Sequence, residues 1–370
     1  MSLMDAMLRR PGRGPGGGAD GAPSGRRGLA LASRGKSIAS TLLTVLATLF
    51  GLALLTFVIG RTMPIDPVLA IVGDRASPEV EAAIREELGL DRSVLVQFGI
   101  YLRDLLQGDL GRSVMTGDPV MQDILRFFPA SMELATTAMV IALALGVPLG
   151  MLAAAHQNSI FDNVLRVIGL LGYSIPVFVL ALICLLVFYA KLGIAPGTGS
   201  QGIIYQGMVP PRTGMITVDA ALDGQWGAFR DALSYLAMPA ILLAFITLSM
   251  IVRMTRAFML EALSGEYIVT ARAKGLSQAR ILWRHGLGNI AGRLLTVLAV
   301  IYASLLEGTV LTETVFSRPG LGLYLTRSLM NADMNAVLGA TLVIGIVYVT
   351  LNLLADLGQR ALDPRARGRA

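Results

Sequence analysis

Apolar runs of roughly 20 residues or more recur along this chain, at about 38–60, 132–155, 164–190, 234–256, 291–312 and 336–357. A helix needs about 20 mostly apolar residues to cross the hydrocarbon of a bilayer. Backbone in hydrocarbon must satisfy its own hydrogen bonds, so such runs fold as helices rather than open sheets. The pattern predicts an all-α integral membrane protein with six transmembrane helices. Composition agrees, with 54% hydrophobic and 15% charged residues in a chain of 370 and a mean hydropathy of +0.65. An average globular domain carries about a quarter charged residues, so a soluble enzyme is excluded and no catalytic residue is assigned.

Residues 1–37 combine Pro11, Pro15, Pro23 and a Gly-rich stretch with Arg9, Arg10, Arg13, Arg26, Arg27, Arg34 and Lys36, which predicts a disordered basic tail. Within it, Ala30 to Ser37 fits a loose phosphate-loop pattern. A working phosphate loop follows a buried strand and opens a helix beneath a sheet, whereas this stretch follows a Gly-rich tail and opens a membrane span, so it is set aside. The first span, 38–60, is too long for a signal-peptide core and lacks a convincing cleavage site after it. Residues 61–130 form a polar external subdomain. In it Ser77 caps a short helix with Glu79 and Glu81 in its first turn and Gly89 at its end. Residues 131–360 hold the other five spans, and 361–370 are a basic end.

Positive charge next to span ends sets orientation. Bases crowd the tail, the loop after span four (Arg256, Arg272, Lys274, Arg280, Arg284) and the end (Arg360, Arg365, Arg367, Arg369). In a six-span chain these three segments share one side, the cytoplasm, which places both termini there. Topology thus explains the excess of 31 Lys and Arg over 25 Asp and Glu without nucleic acid. The single cysteine, Cys184, sits in an apolar run as packing, and a lone cysteine excludes an intrachain disulfide or a thiol metal site. His156 and His285 show no ligand spacing, and no metal site is expected.

Ionisable groups are costly in hydrocarbon and call for a partner or an aqueous pathway. Candidates to line such a pathway are Glu307 in span five, Asn352 and Asp356 in span six, and Arg253 near the inner end of span four. Glu133 lies near the start of span two. Pro176, in Ser174-Ile175-Pro176, predicts a kink in span three. Glu307 either faces the pathway and favours cationic cargo, or pairs with Arg253 or an arginine of another subunit.

The segment 257–290 is helical in pattern but not hydrophobic. Its layout predicts a helix through Glu261, Tyr267, Thr270 and Lys274, ended by Gly275 as a left-handed cap, then a second helix opened by Ser277. Ala271, Ala273 and Gly275 would keep one side small enough for another surface to approach closely. Periodicity alone also allows an amphipathic helix on the headgroups.

Thr270-Ala271-Arg272-Ala273-Lys274-Gly275-Leu276-Ser277, followed by Arg284-His285-Gly286-Leu287-Gly288-Asn289, resembles the loop by which permeases of bacterial binding-protein-dependent ABC importers dock onto their ATPase. Further similarity to the dipeptide, oligopeptide and nickel branch lies at Pro64 to Pro67, Leu88 to Arg92, Gly108 to Gly111, Glu313 to Gly322, and Asn352, Asp356 and Leu362 to Arg365, covering about 38–366. The order of these strings points to the first of two paired permeases. The resemblance implies a type I importer permease that pairs with a second permease, sits on two cytoplasmic ATP-binding subunits and receives cargo from an external solute-binding protein. ATP and Mg²⁺ would bind those ATPases, with no cofactor in this chain. Residues Tyr267 and Thr270 to Ser277 would form the ATPase-coupling surface. The chain departs from the pattern at Ile65, Gly288, Arg293 and Glu307, where small or hydroxyl residues are usual in place of the last. A stand-alone ion-coupled secondary transporter is the competing reading, and the 257–290 segment argues against it.

Overall fold

A computed structural model of the chain describes residues 24–62, 68, 76–87, 89 and 91–362. The described residues are helical throughout apart from turns and one isolated bridge between Arg112 and Pro119. Five long apolar helices run unbroken, within α1 (Ser24–Thr62), α4 (Val120–Ala155), α8 (Trp226–Leu263), α11 (Leu287–Phe316) and α13 (Met334–Leu362). A sixth candidate span is a bent pair, α5 (Ile160–Ser174) and α6 (Val177–Cys184), the latter continued by a π-helical stretch, Leu185–Lys191. Shorter helices decorate the ends: α2 (Pro78–Glu87), α3 (Val94–Leu106), α7 (Ile216–Leu222), α9 (Glu266–Ala273), α10 (Gln278–Arg280) and α12 (Leu321–Met330).

The centre of the bundle is the pair α4 and α8. Gly146 and Gly150, one turn apart, let the two backbones close up: a Cβ on Gly150 would lie 2.7 Å from Cβ of Thr255 and 2.9 Å from the Val252 carbonyl oxygen. Small residues four apart are how membrane helices approach without a hydrophobic driving force between them. Leu134, Ala138 and Ala142 of α4 meet Leu236, Ala240 and Ile251 of α8, and Ile301 and Leu305 of α11 close the core. Cys184 packs at its edge. The subdomain between the first two spans leans on α1 through aromatic contacts of Phe98 and Tyr101 with Phe57.

Several expected boundaries move. The tail was expected to be disordered through residue 37, but α1 begins at Ser24. Leu, Ala, Arg and Lys dominate residues 26–36 and are good helix formers, so a helix nucleated in the membrane propagates outward. The phosphate-loop-like stretch is therefore helix rather than loop. Span two starts at Val120, not near 131, and carries Pro129 and Pro148 inside it. At Pro176 the expected kink is a complete break: Ile175 is extended and the two halves meet at 98°, as the residue before a proline is disfavoured in helix. Pro64 to Pro67, Leu88, Leu90 and 363–370 lie outside the described residues.

Candidate functional site

At one end of the bundle, α8 stops at Leu263 and the chain turns through Ser264 and Gly265 into α9. Glu261, expected in the first helix of the loop, belongs to α8 instead, because apolar Phe258, Met259 and Leu260 carry that helix past the membrane pattern. Gly275 follows α9 with φ of +75°, the left-handed conformation that favours glycine. Its N–H donates to the Arg272 carbonyl at 2.9 Å. Ser277 then accepts from the N–H of Arg280 as the cap of α10. This second helix does not end: a π-helical turn, Ile281–Gly286, joins it to α11 in one rod, Gln278–Phe316.

The resulting knob has its own small core of Ile268, Ala271 and Ile281, with Leu263 and Leu276 against it. Ala271 thus faces inward and does not belong to the small outer surface, since helical spacing sets it beside Ile268. Outside stand Thr270, Arg272, Ala273, Lys274, Gly275 and Ser277, together with Val269, 64% exposed, and Trp283, 53% exposed. Leu276 is half-buried. Tyr267 is partly exposed and braces the turn, its hydroxyl donating to the Ala262 carbonyl at 2.9 Å and accepting from Nδ2 of Asn289 at 2.7 Å. Arg293, a departure noted above, ties the knob's two arms by pairing with Glu261 at 2.7 Å. Nearby, the buried carboxylate of Asp162 takes both Nε and Nη2 of Arg256, at 2.6 and 2.8 Å, linking α5 to α8.

The opposite end holds a different kind of site. Ser317 ends α11 with φ of +49°, reversing the chain and turning Arg318 into the protein. There Nη2 of Arg318 pairs with Glu133, and both side chains are almost wholly buried. Glu133 also accepts from the hydroxyl and, at 2.8 Å, the N–H of Thr217. Glu313, fully buried, accepts from the N–H groups of Gly322 and Leu323 at 2.8 and 3.2 Å, a carboxylate set on the positive N-terminus of α12. A Cβ at Gly322 would collide with the backbone at Val310, so glycine is required for α12 to reach α11. Ser131 accepts from the N–H of Leu321 at 2.8 Å. Asp123 accepts from Tyr324 at 3.0 Å and Thr116 at 2.6 Å, and burial together with Asp123 pushes the Tyr324 phenol well above its usual range.

The expected pathway residues do not converge on one another. Arg253 is exposed, its nearest side-chain partner being the sulfur of Met250 at 3.8 Å. Glu307 is exposed and makes no ion pair among the described residues, so the internal pair with Arg253 is not formed. It lines a cleft with Ser131, Thr309 and Tyr348. Asn352 is half-buried on α13; the Asp356 side chain lies outside the described residues. Pro176 marks the break in span three. Sequence reading missed Arg318 and Glu313 as a buried cluster, although both fall in a string singled out above; the signal was charge amid Phe316, Pro319 and Leu321.

The family described as "Binding-protein-dependent transport system inner membrane component" matches residues 146–368, and its N-terminal counterpart matches 36–135. The chain is 42% identical to a probable D,D-dipeptide transport system permease of Escherichia coli K12, over 85% of this chain and 92% of that one. It is 38% identical to a di/tripeptide transport system permease of Pseudomonas aeruginosa, over 89% and 98%. A solved structure of the MetNI methionine ABC transporter matches with 17% identity and a TM-score of 0.44, over 65% of this chain and 95% of that one. With both family regions matched in order and relatives aligned over nearly their whole length, this chain belongs to the binding-protein-dependent transport system inner membrane components, the permease subunits of ABC importers.

Proposed function

We propose that this permease carries peptides or similar small solutes across the bacterial cytoplasmic membrane, paired with a second permease. An external solute-binding protein would deliver the cargo and two ATPases would drive transport. The printed names of the relatives support peptide cargo. The observation that carries the coupling role is the knob itself. It is a compact projection whose outer surface combines Val269 and Trp283 with Arg272, Lys274, Arg280 and Arg284, none of them ion-paired among the described residues. Such a surface suits a partner with an apolar cleft and acidic rim. In this reading the knob is cytoplasmic, as its bases and the positive-inside bias require, and the buried cluster lies on the outer side.

Mild-detergent purification from the native membrane should bring down a second six-span permease and ATPases; recovery of the chain alone with gradient-driven uptake would favour a stand-alone transporter. Gly275→Asp is the sharper probe. A Cβ there meets nothing within 4 Å in this chain, so the variant should still insert, while the left-handed backbone and the facing surface are both disturbed. ATP hydrolysis is then expected to run without uptake. Normal uptake at normal expression would sink the coupling role.

A further inference from the structure

Glu307 sits mid-helix on α11, with Leu305, Leu306 and Val310 around it. An unpaired carboxylate within an apolar span is unfavourable, and among the described residues lining its cleft there is no Lys or Arg. The cleft is built rather than incidental. Its floor at Ser131, Leu321 and Gly322 is fixed by the Ser131–Leu321 hydrogen bond and by Glu313 on the N–H of Gly322. Its volume is about 20 Å³, enough for one water-sized group and far too small for a peptide. Thr309 and Tyr348 line the same space.

One carboxylate and largely apolar walls are a poor match for Ca²⁺, which takes six to eight oxygens, or for Mg²⁺, which demands an octahedral set. They match a single ammonium group whose carbon skeleton lies against Leu306 and Ile344. Resting on the peptide reading above, we propose that Glu307 and this cleft form a subsite for an ammonium group of the cargo, so that the permease itself discriminates for amine-bearing solutes.

The test uses the assembled importer in proteoliposomes with its binding protein. Carbodiimide activation in the presence of labelled Ala-Ala should form an amide at Glu307 at least threefold faster than at the exposed Glu261, with excess unlabelled Ala-Ala suppressing the label. Glu307→Gln should abolish that adduct and lower Ala-Ala uptake about tenfold, with subunit assembly unchanged. An amide to a lysine of the second permease, loss of assembly in Glu307→Gln, or unchanged uptake would each overturn the subsite. A wild-type complex that takes up no dipeptide would count against the peptide reading alone. Methylamine in place of Ala-Ala would then test the subsite directly, preferential amidation of Glu307 over Glu261 supporting it and equal amidation overturning it.

Discussion

At the knob, Arg272, Lys274, Arg280 and Arg284 stand exposed with no acid of this chain paired to them among the described residues, whereas at the far end Glu133, Arg318, Glu313, Asp123 and Asp333 are all buried and hydrogen-bonded. The far end pairs most of its charges within the fold: Asp333, for example, accepts from the Ser113 hydroxyl at 2.5 Å and the Met115 N–H at 3.0 Å, joining the 61–130 subdomain to the start of α13, while Nε and Nη1 of Arg318 and one oxygen of Glu313 have no hydrogen-bond partner among the described residues. The knob end is held by packing at Gly150 and by the Asp162–Arg256 pair, and leaves its outer charges open. The two ends thus differ in where their charges are paired: within the fold at one, and with no acid of this chain among the described residues at the other.

The contrast can be broken most severely at Arg318. Arg318→Ala strands Glu133 in the interior, and breaking a buried pair in this way is destabilising by about 3–5 kcal/mol; thermal unfolding in detergent should register the loss, and Glu133→Leu combined with Arg318→Leu should recover much of it. If the single variant unfolds like wild type, the far end is not held by charge. Next comes Gly150→Leu, which forces α4 away from Thr255 and Val252 and should lower stability by about 1–3 kcal/mol. A normal melting temperature would show that the knob half does not depend on this close approach.

Acid sharpens the comparison further. Burial works to raise the Asp219 carboxyl, but hydrogen bonds from the Thr213 hydroxyl and from the N–H groups of Thr213, Arg212 and Gly214 outweigh it and hold it below the usual range. Its contribution is therefore complete above the unfolded value near pH 3.9 and is lost as pH falls below that. Protease cutting within 206–224 should rise below about pH 4 and vanish as an acid effect in Asp219→Asn, while the knob stays as resistant as at neutral pH. The smallest effect belongs to Arg293→Ala. Its pair with Glu261 is exposed on both sides, so at most about 0.5 kcal/mol is expected, read as a near-null shift in melting temperature.

Much of this architecture was legible in the sequence because hydrocarbon imposes long apolar runs, and because Gly275 and Ser277 are local signals that fix a turn whatever surrounds it. Helix ends were less legible, since a helix anchored in the membrane extends into polar sequence, as at Ser24 and Val120. Pro176 announced a distortion without its size. The Glu133–Arg318 pair was invisible for a different reason: its members are 185 residues apart, and neither carries a periodicity that names the other. Glu307 stood out as a misplaced charge, but the cleft it lines with Ser131 and Tyr348 is visible only in the structure.

The π-helical turn at Ile281–Gly286 carries one more implication. By splicing the knob's second helix onto α11 it makes a single rod of 39 residues, about 58 Å long at the α-helical rise. One tip of this rod bears Ser277 and Trp283, and the other runs into Ser317 and Arg318. A tilt of about 10° about a fulcrum near mid-length, at the α4–α8 pair, would carry each tip through roughly 5 Å, so the rod is a lever with the buried arginine as the catch at its far end.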